Sequence, residues 1–553
     1  TYAAIPSHQL VRPYLLCLMT DSYKFSHYKQ YPMRYRTNPS EAAIKREGDI
    51  KNMGSYGGYN VSYFEPRKTE QYLQMPNMSD RGKTTALGNN SAIKYDECVF
   101  FGLQYYLKNY LVGKVIDANL VLEAKEFATQ HVGPGVFNDA DWTAIAGGSS
   151  EYGPRYGGDE FDALHDLPRK KYEVAEGMLP ILVRAPPEGT CMKVGNMMFS
   201  IHNTHPRFYW LPNFLETLLV QVWYPMTVCS QCVYERQWLT MTNGFFNPNS
   251  LCDFGFRGVS SVESAGIGDA AYMAAGFMAP DTVVGVEAAR PLYHEPEKIG
   301  EYGTSVPASE HSTMTSWCDM SKTDKTAFAK DERDAFVNML HEYKNNPVVA
   351  IVIDGYNMWH VIRDQLLHDD MLKAMEDFFG TALPEGVDAP KLIVLRPDSG
   401  DGGLVLPEIA ELLTESFIGA SVRMNAYTHL SKLAESMQNR TMRAENPKFK
   451  MGYGFAILQG DSVDRPRLPY YLAAIENAGY KPSEFAFGSG GGMLQKLDRD
   501  TLSCAFKCSL MMAPQASQGK PEAMPLKWRE IYKRPIDAKG KISKQGSLRL
   551  AHI

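Results

Sequence analysis

The chain has 553 residues, of which 44% are hydrophobic and 22% are charged, a balance typical of globular proteins with two or more domains. Its 57 basic and 63 acidic residues give a net charge of −6, so the overall field does not favour nucleic acid or an anionic membrane surface. No stretch of ~18 uncharged apolar residues is present to cross a bilayer. We expect no nucleic-acid or membrane partner, and any anion must be bound at a local site.

The first ~180 residues predict irregular structure with long surface loops at 52–71 (NMGSYGGYNVSYFEPRKTEQ) and 147–160 (GGSSEYGPRYGGDE), because both segments are rich in Gly, Ser and charge. Between them, residues 97–116 have apolar side chains at helical spacing. From about residue 190 onwards, short apolar strands alternate with helical patterns. Such alternation predicts crossover units and parallel strand pairing.

Four strands carry this prediction, namely VVAIVID, KLIVLRPDSG, GFAILQGD and SEFAFGSG. The helical patterns between them are GYNMWHVIRDQLL, PEIAELLTES and LPYYLAAIENAG. The strands are almost continuously apolar, which indicates that both faces of the sheet are covered. Their polar residues come at the end of each strand: Asp354, then Arg396 and Asp398, then Gly460 and Asp461, then the glycine run 488–492. Because carboxyl ends of parallel strands form one rim, we expect an α/β barrel with its active site there.

The glycine run, in FAFGSGGGMLQKLDRD (485–500), lies between a strand and a predicted helix. It is not a P-loop, because no Lys-Ser/Thr pair follows, and the GxGxxG spacing fails at Met493. Bare backbone N–H groups and a helix N-terminus favour an anion, most plausibly a phosphate. The alternative is a tight turn with positive φ, which one glycine would satisfy.

Two further motifs suit a phosphorylated sugar. In LRPDSG, Arg396 can donate two hydrogen bonds to phosphate, and Asp398 can bind a ribose hydroxyl or magnesium. The alternative is an Arg–Asp pair at a surface turn. In QGDSVD, Gly460 allows a ligand to approach the backbone closely. Asp461, like Asp398, can bind a sugar hydroxyl or a metal ion.

DFGFRG (253–258) shows strand-like alternation, and its Phe254 and Arg257 could hold a flat ring. A core phenylalanine beside an outward arginine is the alternative. His311, in SVPASEHSTMTSW, lies near a predicted helix start, and a lone histidine is usually structural. Among the nine cysteines, only Cys229/Cys232 and Cys504/Cys508 lie close together, so reduced thiols of a cytoplasmic enzyme are favoured over zinc.

Taken together and in order, several motifs resemble the nicotinamide phosphoribosyltransferase family, from about residue 14 to the C-terminus. They are TDSYKFSHYKQYP, DFGFRGVSS, SVPASEHST, LRPDSG, LQGD, FGSGGGMLQKLDRD and CAFKCS. The resemblance implies synthesis of nicotinamide mononucleotide and pyrophosphate from nicotinamide and phosphoribosyl pyrophosphate, within NAD biosynthesis. It also implies a homodimer with shared active sites. The implied fold is an irregular α/β barrel (191–499, type II phosphoribosyltransferase-like) with an α+β domain built from 1–190 and the tail 500–553.

The resemblance also implies a role for each site residue. The residues implied to bind the phosphoribosyl and phosphate groups are Arg396, Asp398, Gly460, Asp461, Gly490, Gly491, Arg499, Lys507, Lys533 and Lys541. The residues implied to bind nicotinamide are Phe254, Arg257, Asp281 and, from the partner subunit, the equivalent of Tyr23. Asp354 and Asp398 would bind Mg²⁺, and together with Arg396 and His311 they form the implied catalytic set. His311 would be phosphorylated when ATP is hydrolysed.

The chain departs from the family pattern at three positions near the implied site. Cys252 stands where histidine is frequent, Ser462 replaces a glycine after QGD, and Ala350 replaces a frequent serine. Insertions fall near 36–60, 70–92 and 424–450. Two other functions stay open: transfer to nicotinic acid, and nucleotide binding without catalysis.

Overall fold

The computed structural model describes residues 16–31, 58–68, 96–148, 174–293, 298–321, 323–387, 389–420, 424, 428–431, 454–514, 526–537 and 542–548. The strands are β1 Tyr59–Glu65, β2 Glu97–Val99, β3 Ile181–Arg184, β4 Cys191–Lys193, β5 Phe199–Asn203, β6 Leu251–Asp253, β7 Val348–Val352, β8 Leu392–Arg396, β9 Phe455–Gln459, β10 Phe485–Ser489, β11 Ala505–Pro514 and β12 Leu526–Glu530. The helices are α1 His27–Gln30, α2 Leu103–Tyr106, α3 Ala118–His131, α4 Asp139–Gly147, α5 Leu211–Phe214, α6 Glu216–Val220, α7 Trp223–Asn243, α8 Val262–Ala274, α9 Val283–Tyr293, α10 His311–Thr315, α11 Lys325–Glu342, α12 Met358–His360, α13 Asp369–Gly380, α14 Gly402–Gly419, α15 Arg467–Asn477 and α16 Gly491–Leu494.

The chain divides into two compact units. Unit 1 comprises Thr1–Thr69, Asp96–Met226 and Arg499–Ile553, and unit 2 comprises Glu70–Tyr95 and Thr227–Asp498. The sequence-derived boundary between residues 190 and 191 falls inside unit 1. The predicted division into a domain of residues 1–190 with 500–553 and a barrel domain of residues 191–499 stays a prediction.

Unit 1 is built on an antiparallel sheet with the strand order β12-β11-β1-β5-β3, and a small β2-β4 pair accompanies it. The tail strands β11 and β12 therefore complete the sheet that the N-terminal part begins. The α+β domain predicted from both ends of the chain is confirmed.

The predicted surface loop at 52–71 is wrong for its central part, because residues 59–65 form β1, and every residue of this strand is buried. Gly and Ser before this strand and charged residues after it gave the segment the composition of a loop, although the polar residues of the strand are hydrogen-bonded inside the protein. Asn60 N–H donates to Asn203 Oδ1 (2.8 Å), and Ser62 Oγ donates to Asn213 Oδ1 (2.7 Å). The other predicted loop, 147–160, lies outside the described residues beyond Gly148.

Unit 2 contains the predicted parallel sheet, with the strand order β6-β10-β9-β8-β7. The four apolar runs predicted as strands form β7, β8, β9 and β10. Their branched and aromatic residues suit a sheet that is covered on both faces, and in β7 four of the five residues are buried.

Two short segments close this sheet into a ring. Next to β6, Asp253 N–H donates to Ala279 O (3.0 Å) and Asp281 N–H donates to Asp253 O (2.7 Å). Next to β7, Ala350 exchanges hydrogen bonds with the segment 307–309. Thr304 N–H then donates to Met278 O (2.9 Å) and joins the two segments. The predicted irregular α/β barrel is thereby confirmed.

The helices between the strands follow the predicted patterns with shifted bounds. The pattern at 355–367 gives only α12 and a π-turn at Val361–Gln365, and the longer helix of this crossover is α13. α13 begins after the His368 cap and buries Met371, Leu372, Met375 and Phe378 on one face. In the described part of the chain, no helix has the length and apolar character needed to cross a membrane.

Candidate active site

A cavity of about 2110 Å³ lies within the barrel of unit 2. It runs along the inside of the barrel, because its lining includes both the first residues of β7 to β10 and the loops that follow these strands. Ten of the residues predicted for the site line it: Phe254, Arg257, Asp281, His311, Arg396, Asp398, Gly460, Asp461, Gly490 and Gly491. The sequence thus identified a set of residues that the fold brings to one cavity.

His311 and two strand-end aspartates form a connected network. His311, the first residue of α10, donates from Nε2 to Asp354 Oδ1 (3.0 Å). The other carboxylate oxygen of Asp354 accepts from the backbone N–H of Asp398 (3.0 Å). A proton on Nε2 leaves Nδ1 as the basic nitrogen of the ring, and Nδ1 lies 3.9 Å from Asp398 Oδ2. Asp354 therefore fixes both the tautomer of His311 and the position of Asp398.

Asp398 is the carboxylate of this network that faces the cavity. Burial raises its pKa, an effect that the nearby Arg396 guanidinium opposes at 3.7 Å. Its Oδ1 atom is buried and has no hydrogen-bond donor among the described residues. Arg396 itself is held by a hydrogen bond from its Nη1 to Ser309 O (2.9 Å).

The oxygen ligands present suit a magnesium ion that is shared with a substrate. Mg²⁺ prefers carboxylate oxygens and commonly takes only one or two from the protein, with phosphate and water completing its shell. Asp398 has the buried oxygen free to serve in this way, whereas both oxygens of Asp354 already accept hydrogen bonds. Within the described ranges, no group of three or more His, Cys, Asp or Glu side chains is placed to hold a metal.

The glycines of the run 488–492 serve different purposes. A Cβ atom on Gly488 would lie 2.1 Å from the Phe254 ring, and one on Gly492 would lie 2.6 Å from Val463 O. Gly491 packs against the backbone of Gly258. Gly490 alone of the run has nothing within 4 Å of such an atom. Three of the four glycines therefore allow close packing inside the protein, and Gly490 leaves open space at the cavity wall.

The helix after this run is shorter than the sequence suggested. α16 has only four residues, so its dipole is small, and any phosphate here would depend on individual backbone N–H groups. The cause is that the segment turns away after Leu494, where Lys496 N–H bonds back to Gly491 O (3.0 Å).

Phe254 and Arg257 are placed by a turn, so the predicted strand-like alternation of DFGFRG is wrong. β6 ends at Asp253, whose Oδ1 accepts from Gly255 N–H (3.1 Å), and residues 256–258 form a 3₁₀ turn. Phe254 N–H donates to Ser489 O (3.0 Å), so the backbone that carries the ring is anchored to the end of the neighbouring strand β10. Arg257 is exposed at the cavity wall.

Asp281 ends the short segment 279–281 that pairs with β6 and helps to close the barrel. Its carboxylate accepts a hydrogen bond from Ser305 Oγ, and the loop residue Ser305 also lines the cavity. Burial raises the pKa of Asp281, although the Ser305 hydrogen bond and the charge of Arg396 both lower it. Ser305 and Ser309 were not singled out from the sequence, although both lie in SVPASEHSTMTSW, next to His311.

The three departures from the family pattern also adjoin the cavity. Burial raises the pKa of the Cys252 thiol to about 12, so this side chain is a neutral, apolar wall. Ser462 has a φ of 60°, which glycine would adopt without strain, and its Oγ donates to Asp461 Oδ2 (2.8 Å). Ala350 pairs with the segment 307–309.

Four of the predicted residues that the structure describes belong to unit 1: Tyr23, Arg499, Lys507 and Lys533. Tyr23 is 61% exposed. Burial lowers the pKa of Lys507, and the positive charges of Arg67, Lys533 and Arg499 lower it further against the opposing charge of Glu216. Unit 1 thus carries a basic cluster that suits a phosphate. Lys541 and most of the three insertions lie outside the described residues.

Sequence comparisons were made against known families and proteins. The profile described as "Nicotinate phosphoribosyltransferase (NAPRTase) family" matches residues 249–550, and that described as "Nicotinamide phosphoribosyltransferase, N-terminal domain" matches residues 58–151. A protein from Xanthomonas campestris pv. campestris (strain 8004), called nicotinamide phosphoribosyltransferase, is 32% identical over 97% of this chain and 87% of its own length. One from Acinetobacter baylyi with the same name is 26% identical over 94% and 89%.

Among solved structures, human nicotinic acid phosphoribosyltransferase matches with a TM-score of 0.44 and 14% identity, over 86% of this chain and 75% of that one. The first family profile covers more than half of the chain, and the Xanthomonas relative matches nearly all of it. The chain therefore belongs to the nicotinate phosphoribosyltransferase family.

Proposed function

We propose that this protein is a nicotinamide phosphoribosyltransferase of NAD biosynthesis, which forms nicotinamide mononucleotide and pyrophosphate from nicotinamide and phosphoribosyl pyrophosphate. The observation that carries the proposal is a single cavity that combines an aromatic ring and a carboxylate, Phe254 and Asp281, with the strand-end groups Asp398, Asp461 and Gly490. The names of the Xanthomonas and Acinetobacter relatives support the choice of base.

The reaction needs no side chain to remove a proton from the nucleophile, because the pyridine nitrogen of nicotinamide is already a neutral nucleophile. Catalysis then consists of aligning the base with the ribose and stabilising charge on the departing pyrophosphate. Phe254 stacks on the base and Asp281 accepts from its amide. Asp398 and Asp461 bind ribose hydroxyls or the cation, and Arg396 stabilises the developing negative charge. Magnesium, bound through Asp398, would neutralise pyrophosphate.

Three outcomes of one assay separate this function from its alternatives. The purified protein is incubated with phosphoribosyl pyrophosphate, magnesium and either nicotinamide or nicotinic acid, and the mononucleotide product is measured. Product from nicotinamide alone supports the proposal. Product mainly from nicotinic acid would make the protein a nicotinate phosphoribosyltransferase, the activity for which the matching family is named. If neither base gave a product, the remaining function would be nucleotide binding without catalysis.

We further propose a homodimer in which Tyr23 contacts the base bound by the partner subunit. The side chain is 61% exposed, its hydroxyl donates to Asp21 Oδ2 (3.2 Å), and the His27 ring and Lys24 Nζ lie 5.5 and 6.0 Å from the centre of its ring. These neighbours hold the ring, and most of its surface stays accessible to another group. Tyr23→Ala should weaken nicotinamide binding by ~1–3 kcal/mol, the range for an aromatic contact, with the fold intact. Tyr343→Ala, which removes another exposed ring, is the control for a general surface effect. Sedimentation as a fully active monomer would refute the proposal.

His311 is proposed to accept the γ-phosphoryl group of ATP. Its Nδ1 atom attacks phosphorus and ADP leaves, while Asp354 holds the ring through Nε2. Incubation with ATP should give an acid-labile phosphate on the wild type that is absent from His311→Ala. The variant should still transfer phosphoribosyl groups, less effectively at low substrate.

The control is His360→Ala, because His360 is also paired with an aspartate, Asp364 (2.7 Å), and does not line the cavity. This control should label as the wild type does. A wild type without ATPase activity would show that the coupling is absent. A cytoplasmic location stays a prediction.

A further inference from the structure

Two carboxyl groups are buried together behind the proposed base subsite. Asp253 ends β6, Asp269 lies in the middle of α8, and neither is accessible to solvent. Their carboxyl groups are neighbours, and each perturbs the protonation of the other. Among the described residues, no hydrogen-bond donor reaches either oxygen of Asp269 or Oδ2 of Asp253. Since two ionised carboxylates repel each other, this contact requires a proton between them.

The site is built to hold Asp269 in place. A Cβ atom on Gly285 of α9 would lie only 2.0 Å from Asp269 Oδ2, so only a glycine leaves room for the carboxyl group at this helix contact. The carboxyl group of Asp269 therefore lies at the contact between α8 and α9, close to Asp253.

Asp253 connects this buried pair to both residues that are proposed to recognise the base. Its Oδ1 accepts from Gly255 N–H, which fixes the turn that carries Phe254. Its backbone oxygen accepts from Asp281 N–H (2.7 Å). A shift of Asp253 would therefore move the stacking ring and the amide acceptor together.

We propose that Asp253 and Asp269 share one proton, and that this pair is a positioning element of the base subsite that holds Phe254 and Asp281 in register. The proposal rests on the proposed use of nicotinamide. Loss of the shared proton leaves two adjacent negative charges without solvent, and their repulsion separates β6 from α8.

The groups that face the pair do not neutralise it. They are Cys252 on β6, Cys232 on α7, Tyr272 on α8 and Asp281 on the closing segment. All four are acids, and burial raises the pKa of each. Burial likewise raises the pKa of both Asp253 and Asp269 above that of an ordinary carboxyl group.

The sign of the pH dependence follows from these directions. In the unfolded chain both carboxyls ionise near pH ~4, whereas the folded pair keeps its proton to higher pH. The folded state then binds more protons than the unfolded state, so its stability falls as pH rises from that range through the upper pKa of the pair. Nicotinamide binding should weaken as the pH approaches and passes the upper pKa of the pair.

The experiment compares the wild type with Asp269→Asn, which keeps the shape of the side chain and can donate to Asp253 without a shared proton. Melting temperature without substrate, and KM for each substrate, are measured from about pH 5 to about pH 9. The wild type should lose stability with rising pH, and its KM for nicotinamide should rise by up to about tenfold per pH unit beyond the upper pKa. Asp269→Asn should lack both trends, with the KM for phosphoribosyl pyrophosphate unaltered.

Glu263→Gln neutralises an exposed carboxylate of the same helix and should behave as the wild type. Asp253→Asn replaces the other carboxyl group of the pair, so no proton is shared in this variant either. It tests the same pH dependence of stability if Asp269→Asn does not fold. Wild-type pH dependence of stability in the asparagine variants would overturn the proposal. A wild type that does not use nicotinamide would refute the proposed function instead, because the melting curves need no substrate.

Discussion

Asp281→Asn is expected to weaken the use of nicotinamide and to relax the exclusion of nicotinic acid. The two bases share a ring and differ in one group, a neutral amide against a carboxylate. A carboxylate at position 281 accepts from the amide N–H₂ but repels a second carboxylate at hydrogen-bonding distance. Such repulsion between juxtaposed like charges costs several kcal/mol, so discrimination by the wild type should exceed about a hundredfold.

The structure adds a pH dependence to this expectation. Asp281 is exposed to the cavity, but the surrounding protein still desolvates its carboxyl group and raises its pKa, so it takes up a proton at a higher pH than an ordinary aspartate does. As pH falls through that pKa, the negative charge is lost, nicotinamide binding weakens and the penalty against nicotinic acid shrinks. This acid limb should be absent from Asp281→Asn.

The measurement is kcat/KM for each base at several pH values, with the KM for phosphoribosyl pyrophosphate as the internal reference. Glu287→Gln is a matched control, because it neutralises an exposed carboxylate on the adjacent helix α9, where Glu287 pairs with Arg290 (3.2 Å). If base preference is the same in the wild type, Asp281→Asn and Asp281→Ser, the residue only ends the turn before α9.

Gly460→Ala should abolish most activity through phosphoribosyl pyrophosphate rather than through the base. A Cβ atom at this position would lie 1.8 Å from Asp398 Oδ1, far inside contact distance. Asp398 is not free to yield, because its backbone N–H is bonded to Asp354 and its carboxylate lies beside Arg396 and His311. A displacement of about 1 Å at reacting groups costs about a hundredfold in rate.

We therefore expect kcat/KM for phosphoribosyl pyrophosphate to fall by about a hundredfold or more, with overpacking also costing ~1–3 kcal/mol of stability. Gly419→Ala is the control, because an added Cβ atom there has nothing within 4 Å. Calorimetric binding of nicotinamide to the folded variant separates the two subsites. Normal turnover by Gly460→Ala would mean that Asp398 does not hold the substrate.

The barrel rim was predictable because its signal is local. Each of β7 to β10 is a short apolar run followed at once by its polar residue, and parallel pairing brings those ends together without further information. The same reasoning failed for β1, whose polar residues are satisfied by Asn203 and Asn213, about 140 residues or more away in sequence. Nothing within β1 indicates these partners.

The two closing segments of the barrel escaped prediction for a similar reason. Each contributes only a few backbone hydrogen bonds, too few to need a run of apolar residues, so neither looks like a strand. Asp269 gave no signal either, because an acid in a helix is ordinary until Gly285 and Asp253 are seen beside it. By contrast, Ser305 and Ser309 could have been found, since they lie in the same motif as His311.

The closing segments also set where the barrel is weakest. β7 to β10 are joined by continuous ladders, whereas the two closing segments, 279–281 and 307–309, are held by isolated bonds. Local opening costs least where backbone bonds and buried contacts are fewest. We therefore expect Asp281 and Ser305, which lie on or near these segments, to sample open states more often than β7 to β10 do. A bound base would add the missing contacts, so nicotinamide would complete the cooperative structure of the ring as it binds.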